Sequence, residues 1–228
     1  MKLKLILINL ILIAALIFAV TPTISQFYIN GNEVYTINTL LTLTMASDAS
    51  QMSFSCNNSA FTSDESFATS KQFDLSNQSA VGCTTSDGTK TVYFKAISSD
   101  GNTATTSDTI ILDRTAPSIS QTNPSTGSYT NDQRKVITAQ ITDSTSGVDS
   151  NSIKINVKGT DYYVSSSQVT FTSNTLTYTP DSNYGEGAVN ATIDAKDNAG
   201  NSATPSSFSF TVDTTAPNKV TNLSVSNQ

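Results

Sequence analysis

The chain has 228 residues, of which 37% are apolar and only 13% charged, with a formal charge of −6 and a pI near 4.4. Ser and Thr fill 69 positions, so hydroxyls stand where an ordinary soluble domain carries about 25% charged residues. That balance excludes a heptad coiled coil and argues against nucleic-acid binding. With no His, Ser-His-Asp and Cys-His catalysis and His-ligated zinc are excluded.

Lys2 and Lys4 precede an apolar run from Leu5 to Val20 broken only by Asn9. A basic start followed by an apolar run of this length predicts a secretory signal peptide over residues 1–21. An uncleaved N-terminal membrane anchor is the rival, although the run is shorter than the roughly 20 residues of a spanning helix. Either reading predicts export, to the medium or the cell surface, with membrane contact only through this segment. Without Lys2 and Lys4 the remainder has 10 basic and 18 acidic residues, a charge of −8.

Beyond residue 21 the apolar residues alternate. Leu41, Leu43 and Met45 form one set, followed by Met52, Phe54 and Cys56, then Phe73 and Leu75, then Val92, Phe94 and Ala96. A second series has Ile137, Ala139 and Ile141; Ile153, Ile155 and Val157; Val189 through Ala195; and Phe208, Phe210 and Val212. Period two over short runs predicts half-buried strands. Asn30-Gly31, Asp87-Gly88, Asp100-Gly101 and Asn198-Ala-Gly200 mark turns between them.

Asp113-Arg-Thr-Ala-Pro117 recurs as Asp213-Thr-Thr-Ala-Pro217, and Gly101-Asn102 recurs as Gly200-Asn201. Two features repeating at about 100 residues predict tandem domains, one over 22–117 and one over 118–217. About seven short strands in each predict an all-β fold of two antiparallel β-sandwiches. Cys56 and Cys83 are the only cysteines, and in an oxidising compartment they are expected to bond.

The stretch Asp194-Ala-Lys-Asp-Asn-Ala-Gly-Asn201, with Phe208 through Pro217, resembles the ending of the immunoglobulin-like domains arrayed in prokaryotic surface proteins. Thr142-Asp143, Ser146-Gly-Val-Asp149 and Ser152-Ile153 resemble their front half. Met52-Ser-Phe54-Ser, Phe61, Phe67-Ala-Thr69, Lys71 and Asp87 through Tyr93 resemble a related variant, which usually has Trp where this chain offers Phe61 or Phe73. Val220, Leu223 and Val225 resemble the opening strand of a fibronectin type III domain, so residues 218–228 are expected to be a linker or the start of a third, truncated sandwich. The resemblance implies two immunoglobulin-like sandwiches and a non-catalytic spacer, stalk or adhesion module. A glycan- or protein-binding adhesin, or the accessory part of a secreted hydrolase, stays open beside it. The expected partners are neighbouring surface domains or envelope components, or a glycan or protein ligand, and the chain is expected to be monomeric.

In such a sandwich two loops of the second domain, Asp143 to Asp149 and Asp197 to Asn201, share a pole with the incoming Asp113. Asp113, Asp143, Asp149, Asp197 and Asn201 are therefore candidate calcium ligands, because calcium takes six to eight oxygens and needs neither His nor Cys. The alternative is that these residues only cap turns. No other cofactor is expected. Asn57, Asn77, Asn190 and Asn222 head Asn-x-Ser/Thr sequons and are candidate glycan acceptors. Catalysis has little support, since Glu65 and Glu186 fall in different repeats and no phosphate loop is present.

Overall fold

The computed structural model describes residues 20–219. The expected signal or anchor helix, and the fibronectin-like segment from Val220 onward, lie outside the described residues.

The first half holds β1 (Ile24–Ile29), β2 (Tyr35–Thr36), β3 (Leu40–Ser47), β4 (Gln51–Ser55), β5 (Glu65–Ser66), β6 (Ser70–Asp74), β7 (Gly88–Ile97) and β8 (Thr103–Leu112). They form two sheets, β1-β3-β6 and β2-β8-β7-β4-β5. The second half holds β9 (Ser118–Asn123), β10 (Tyr129–Thr130), β11 (Ile137–Thr142), β12 (Val148–Val157), β13 (Thr160–Tyr163), β14 (Val169–Thr172), β15 (Thr175–Tyr178), β16 (Gly187–Asp197) and β17 (Ser206–Val212). Its sheets are β14-β15-β11-β9 and β10-β17-β16-β12-β13. Each pair of sheets encloses its own apolar cluster, one from Phe27 to Leu112 and one from Ile137 to Val212. Two packed sheets with separate cores are two sandwiches.

The alternating sets lie where period two places them. Leu41, Leu43, Val92, Phe94, Ile155, Val189 and Ile193 are fully buried. Phe54 sits against Phe73 and Phe94 with ring centroids 5.7 and 5.8 Å apart.

Three departures have physical causes. Cys56 and Leu75 lie just past their strands: Leu75 starts a short 3-10 turn, whose first turn is capped by the Asp74 carboxylate accepting from Ser76 N. Strand β8 looks polar in sequence, yet Ile110 and Leu112 are core residues and Asp108 accepts the Ile29 main-chain N–H at 2.8 Å. A carboxylate there satisfies a donor at the end of β1 that would otherwise lack a partner. Lys90 occupies an inward register position of β7, followed by Val92 and Phe94, so the inward positions are not all apolar. Its ammonium donates to Thr84 Oγ1 at 3.1 Å, and burial pushes its pKa down.

In each sandwich the first strand crosses from one sheet to the other. β1 pairs with β3, whereas β2 runs parallel to β8 with Tyr35 opposite Ile111. β9 pairs with β11, whereas β10 runs parallel to β17 with Tyr129 opposite Thr211. This device positions the residue that follows each last strand.

Candidate functional site

Asp113 follows β8. Its N–H donates to Thr36 O at 2.9 Å, extending the parallel pairing by one residue. Its Oδ1 accepts from Thr115 N at 3.0 Å, closing an Asx turn that redirects the chain. The two residues after it are held by the first sandwich. Arg114 Nε approaches Asp87 Oδ1 at 3.4 Å, its other end donates to Thr85 O, and Thr115 Oγ1 donates to Asp87 Oδ2 at 2.6 Å. The Thr115 hydroxyl, helped by Arg114, holds the Asp87 carboxyl below the usual carboxylate range.

The Asp113 side chain belongs to the second sandwich. Its Oδ2 accepts the Ser146 N–H at 3.0 Å, and its main-chain O accepts Asn201 Nδ2 at 3.0 Å. Asp113 is fully buried in consequence. The receiving loops are shaped by their own carboxylates. Asp143 Oδ1 accepts from Thr145, Ser146 and Gly147 N–H groups at 3.1, 3.0 and 2.7 Å. Asp197 accepts from Asn201 N at 2.8 Å and Asn201 Nδ2 at 2.7 Å. Asn198 Nδ2 ties the two loops by donating to Ser146 O at 2.8 Å. Gly200 turns the second loop at φ 98°, a conformation that glycine adopts without a Cβ clash.

One carboxylate oxygen from each of Asp113, Asp143 and Asp197 lies within 4.8 Å of the other two. Among the described residues none of the three forms an ion pair. Like charges at that separation repel by about 3 kcal/mol per pair at an effective dielectric of about 20. The main-chain donors offset part of this. Asn201 borders the cluster, whereas Asp149 stands apart, its Oδ1 accepting from Asn151 N at 3.0 Å. Asp113, Asp143 and Asp197 were legible in the sequence as candidate acids, whereas the Ser146 N–H shared by Asp113 and Asp143 and the Asp87 clamp were not, because a main-chain donor and a turn-type Asp-Gly pair carry no distinctive residue signal.

Cys56 and Cys83 are disulfide-bonded. Asn77 and Asn190 are exposed. The Asn57 side chain is engaged locally, its Oδ1 accepting from Ser55, Ser59 and Ala60. Asn222 lies outside the described residues. Glu65 is paired with Lys71 at 2.6 Å and Glu186 receives the Thr214 N–H at 3.1 Å, so these two acids serve structural contacts in separate sandwiches.

Residues 115–214 match the sequence profile of the bacterial Ig-like domain family. The matched span coincides with the second sandwich. Among solved structures, the fibronectin(III)-like modules of Clostridium thermocellum CbhA are 16% identical, with 82% of this chain and 94% of that chain covered and a TM-score of 0.42. A 1.5-MDa bacterial ice-binding adhesin is 14% identical over 85% of this chain and 65% of that chain, with a TM-score of 0.38. The Bacteroides ovatus mixed-linkage glucan protein SGBP-B is 14% identical over 84% and 47%, with a TM-score of 0.28. No curated protein matches the chain.

Proposed function

We propose that the chain is a non-catalytic, exported surface protein whose two sandwiches act as a stiff spacer or stalk. The observation that carries this reading is the joint. Asp113 is bonded through its main-chain N–H to Thr36 on one side and through its carboxylate to Ser146 on the other. Arg114 and Thr115, the next two residues, are clamped to Asp87. A linker pinned on both sides resists bending, as a spacer requires and a flexible tether does not. Distances between spin labels placed on the two sandwiches test it: a narrow distribution that broadens in Asp113→Ala supports the spacer, and a broad distribution in the unsubstituted chain rejects it.

The three clustered carboxylates favour calcium as part of that joint. Asp113, Asp143 and Asp197 would hold the ion, and the charge it brings would offset their mutual repulsion. The all-oxygen ligand set suits calcium, which tolerates irregular geometry. Isothermal titration with calcium, in the unsubstituted chain and in Asp143→Asn, decides this: heat of binding lost in the variant supports the site, and no heat at millimolar calcium removes it.

A second reading, adhesion, rests on a groove of about 340 Å³ in the first sandwich, lined among others by Phe61, Gln72, Gln78 and the Lys71–Glu65 pair. Saturable binding of the chain to isolated cell envelopes, abolished in Phe61→Ala, would favour it over a pure spacer.

A further inference from the structure

The joint after the first sandwich has a structural twin after the second. Asp213 N donates to Thr130 O at 2.9 Å, as Asp113 N donates to Thr36 O at 2.9 Å. Asp213 Oδ1 accepts from Thr215 N at 3.0 Å, as Asp113 Oδ1 accepts from Thr115 N at 3.0 Å. Thr214 is clamped to the Glu186 carboxylate through its N–H and its hydroxyl, in the role that Asp87 plays for Arg114 and Thr115. The short parallel pairing that sets up the turn recurs as well, with Thr130 opposite Val212 and Thr36 opposite Leu112.

The two aspartates differ in what covers them. Asp113 is fully buried by the loops of the next sandwich, whereas Asp213 is exposed. The turn that presents the carboxylate is thus complete before any receiving pole is in place. The opposite half of the joint is also left unmatched at the other end. Asn102 stands in the Gly-Asn repeat position of Asn201, and its Nδ2 is buried with no partner among the described residues. Asn201 Nδ2 at that position donates to the carbonyl of Asp113.

We propose that Asp213 is a preformed docking half-site for a further β-sandwich joined after Pro217 in the same polypeptide. Its partner is a pole like that of the second sandwich, which offers a main-chain N–H of the Ser146 kind to Oδ2 and an amide of the Asn201 kind to the main-chain carbonyl. This rests on the spacer reading and extends it: rigidity is transmitted from joint to joint by the same aspartate turn.

The test is the full chain extended after Pro217 by a second copy of residues 118–217, so that the receiving loops are ones already seen to hold Asp113. Spin-label distances are measured in the same molecule across the inner joint and across the new outer joint. The expected result is an outer distribution as narrow as the inner one, broadened at least twofold by Asp213→Ala while the inner stays narrow. Asp113→Ala should do the reverse. Thermal unfolding of each variant verifies that all sandwiches remain folded. A narrow inner joint with a broad outer joint, or an outer joint indifferent to Asp213→Ala, overturns the Asp213 proposal alone. A broad inner joint overturns the spacer reading and this proposal with it.

Discussion

The Ser146 main-chain N–H donates to Asp113 Oδ2 at 3.0 Å across 33 residues of sequence, and the same N–H also lies 3.0 Å from Asp143 Oδ1. One donor therefore serves two carboxylates, one from the linker and one from the loop that receives it. The linker residue completes the second sandwich, and its loss should be felt there.

Asp113→Ala is expected to destabilise the second sandwich by about 1 kcal/mol, the net loss of one hydrogen bond, because Asp143 Oδ1 still accepts the Ser146 N–H. Asn201→Ala should follow it, since Asn201 Nδ2 bonds both Asp113 O and Asp197 Oδ2. Asp113→Asn should be milder without calcium, because it keeps an oxygen acceptor and removes one like charge. Urea unfolding of the three variants, in chelator and in calcium, measures the order. Equal stability of Asp113→Ala and the unsubstituted chain would mean that the joint contributes nothing.

Replacing Cys56 and Cys83 by Ala opens a cross-link between residues 27 apart in sequence. The loop-closure entropy returned to the unfolded chain predicts a loss of about 3.5 kcal/mol. The loss should be confined to the first sandwich, whose core includes Cys83. Hydrogen exchange resolved by region checks this, with unchanged protection expected for Ile155 and Ile193.

Gly82 sits at φ 85°, and a Cβ there would come within 2.5 Å of Asn57 Nδ2 and 2.8 Å of Asn57 Cβ. Asn57 cannot swing away cheaply, because its Oδ1 holds the N–H groups of Ser59 and Ala60 at 3.0 Å. Gly82→Ala should therefore cost about 2 kcal/mol, combining left-handed strain with the clash. A melting temperature within one degree of the unsubstituted chain would contradict it.

Alkaline pH should destabilise the second sandwich. Burial, with a hydrogen bond to Tyr162, pushes the Tyr178 phenol well above its ordinary 10, and burial does the same for Tyr184. The native state then keeps protons that the unfolded chain releases, so the stabilisation is complete below pH 10 and is lost as pH rises above it. Lys90 acts in the opposite sense in the first sandwich: its pKa is lowered by burial, so stability there gains as pH approaches the ordinary lysine value of 10.5. Urea midpoints between pH 8 and 11 should fall for the second sandwich and fall less in Tyr178→Phe. A flat profile would mean that the phenols ionise freely in the folded state.

The alternating apolar sets determined the strands and their inward faces, because a residue such as Val92 or Ile193 must hide its side chain and a strand exposes every second one. The repeated Asp-x-Thr-Ala-Pro and the Gly-Asn pairs likewise marked two equivalent units. Strand β8 escaped the pattern: Thr106 and Asp108 fill positions where period two expects apolar residues, and only the fold shows that Asp108 is needed by the Ile29 N–H. Lys90 escaped for the same reason, as an amphipathic side chain whose inward placement depends on Thr84 lying within reach. The acids of the joint could be enumerated from the sequence, but which of them meet could not. Asp113, Asp143 and Asp197 converge and Asp149 does not, since convergence depends on the path of three separate chain segments through space. The difference between Asp113 and Asp213 is also purely tertiary. The two share one turn and one set of main-chain bonds, and what separates them is whether a neighbouring sandwich covers the carboxylate.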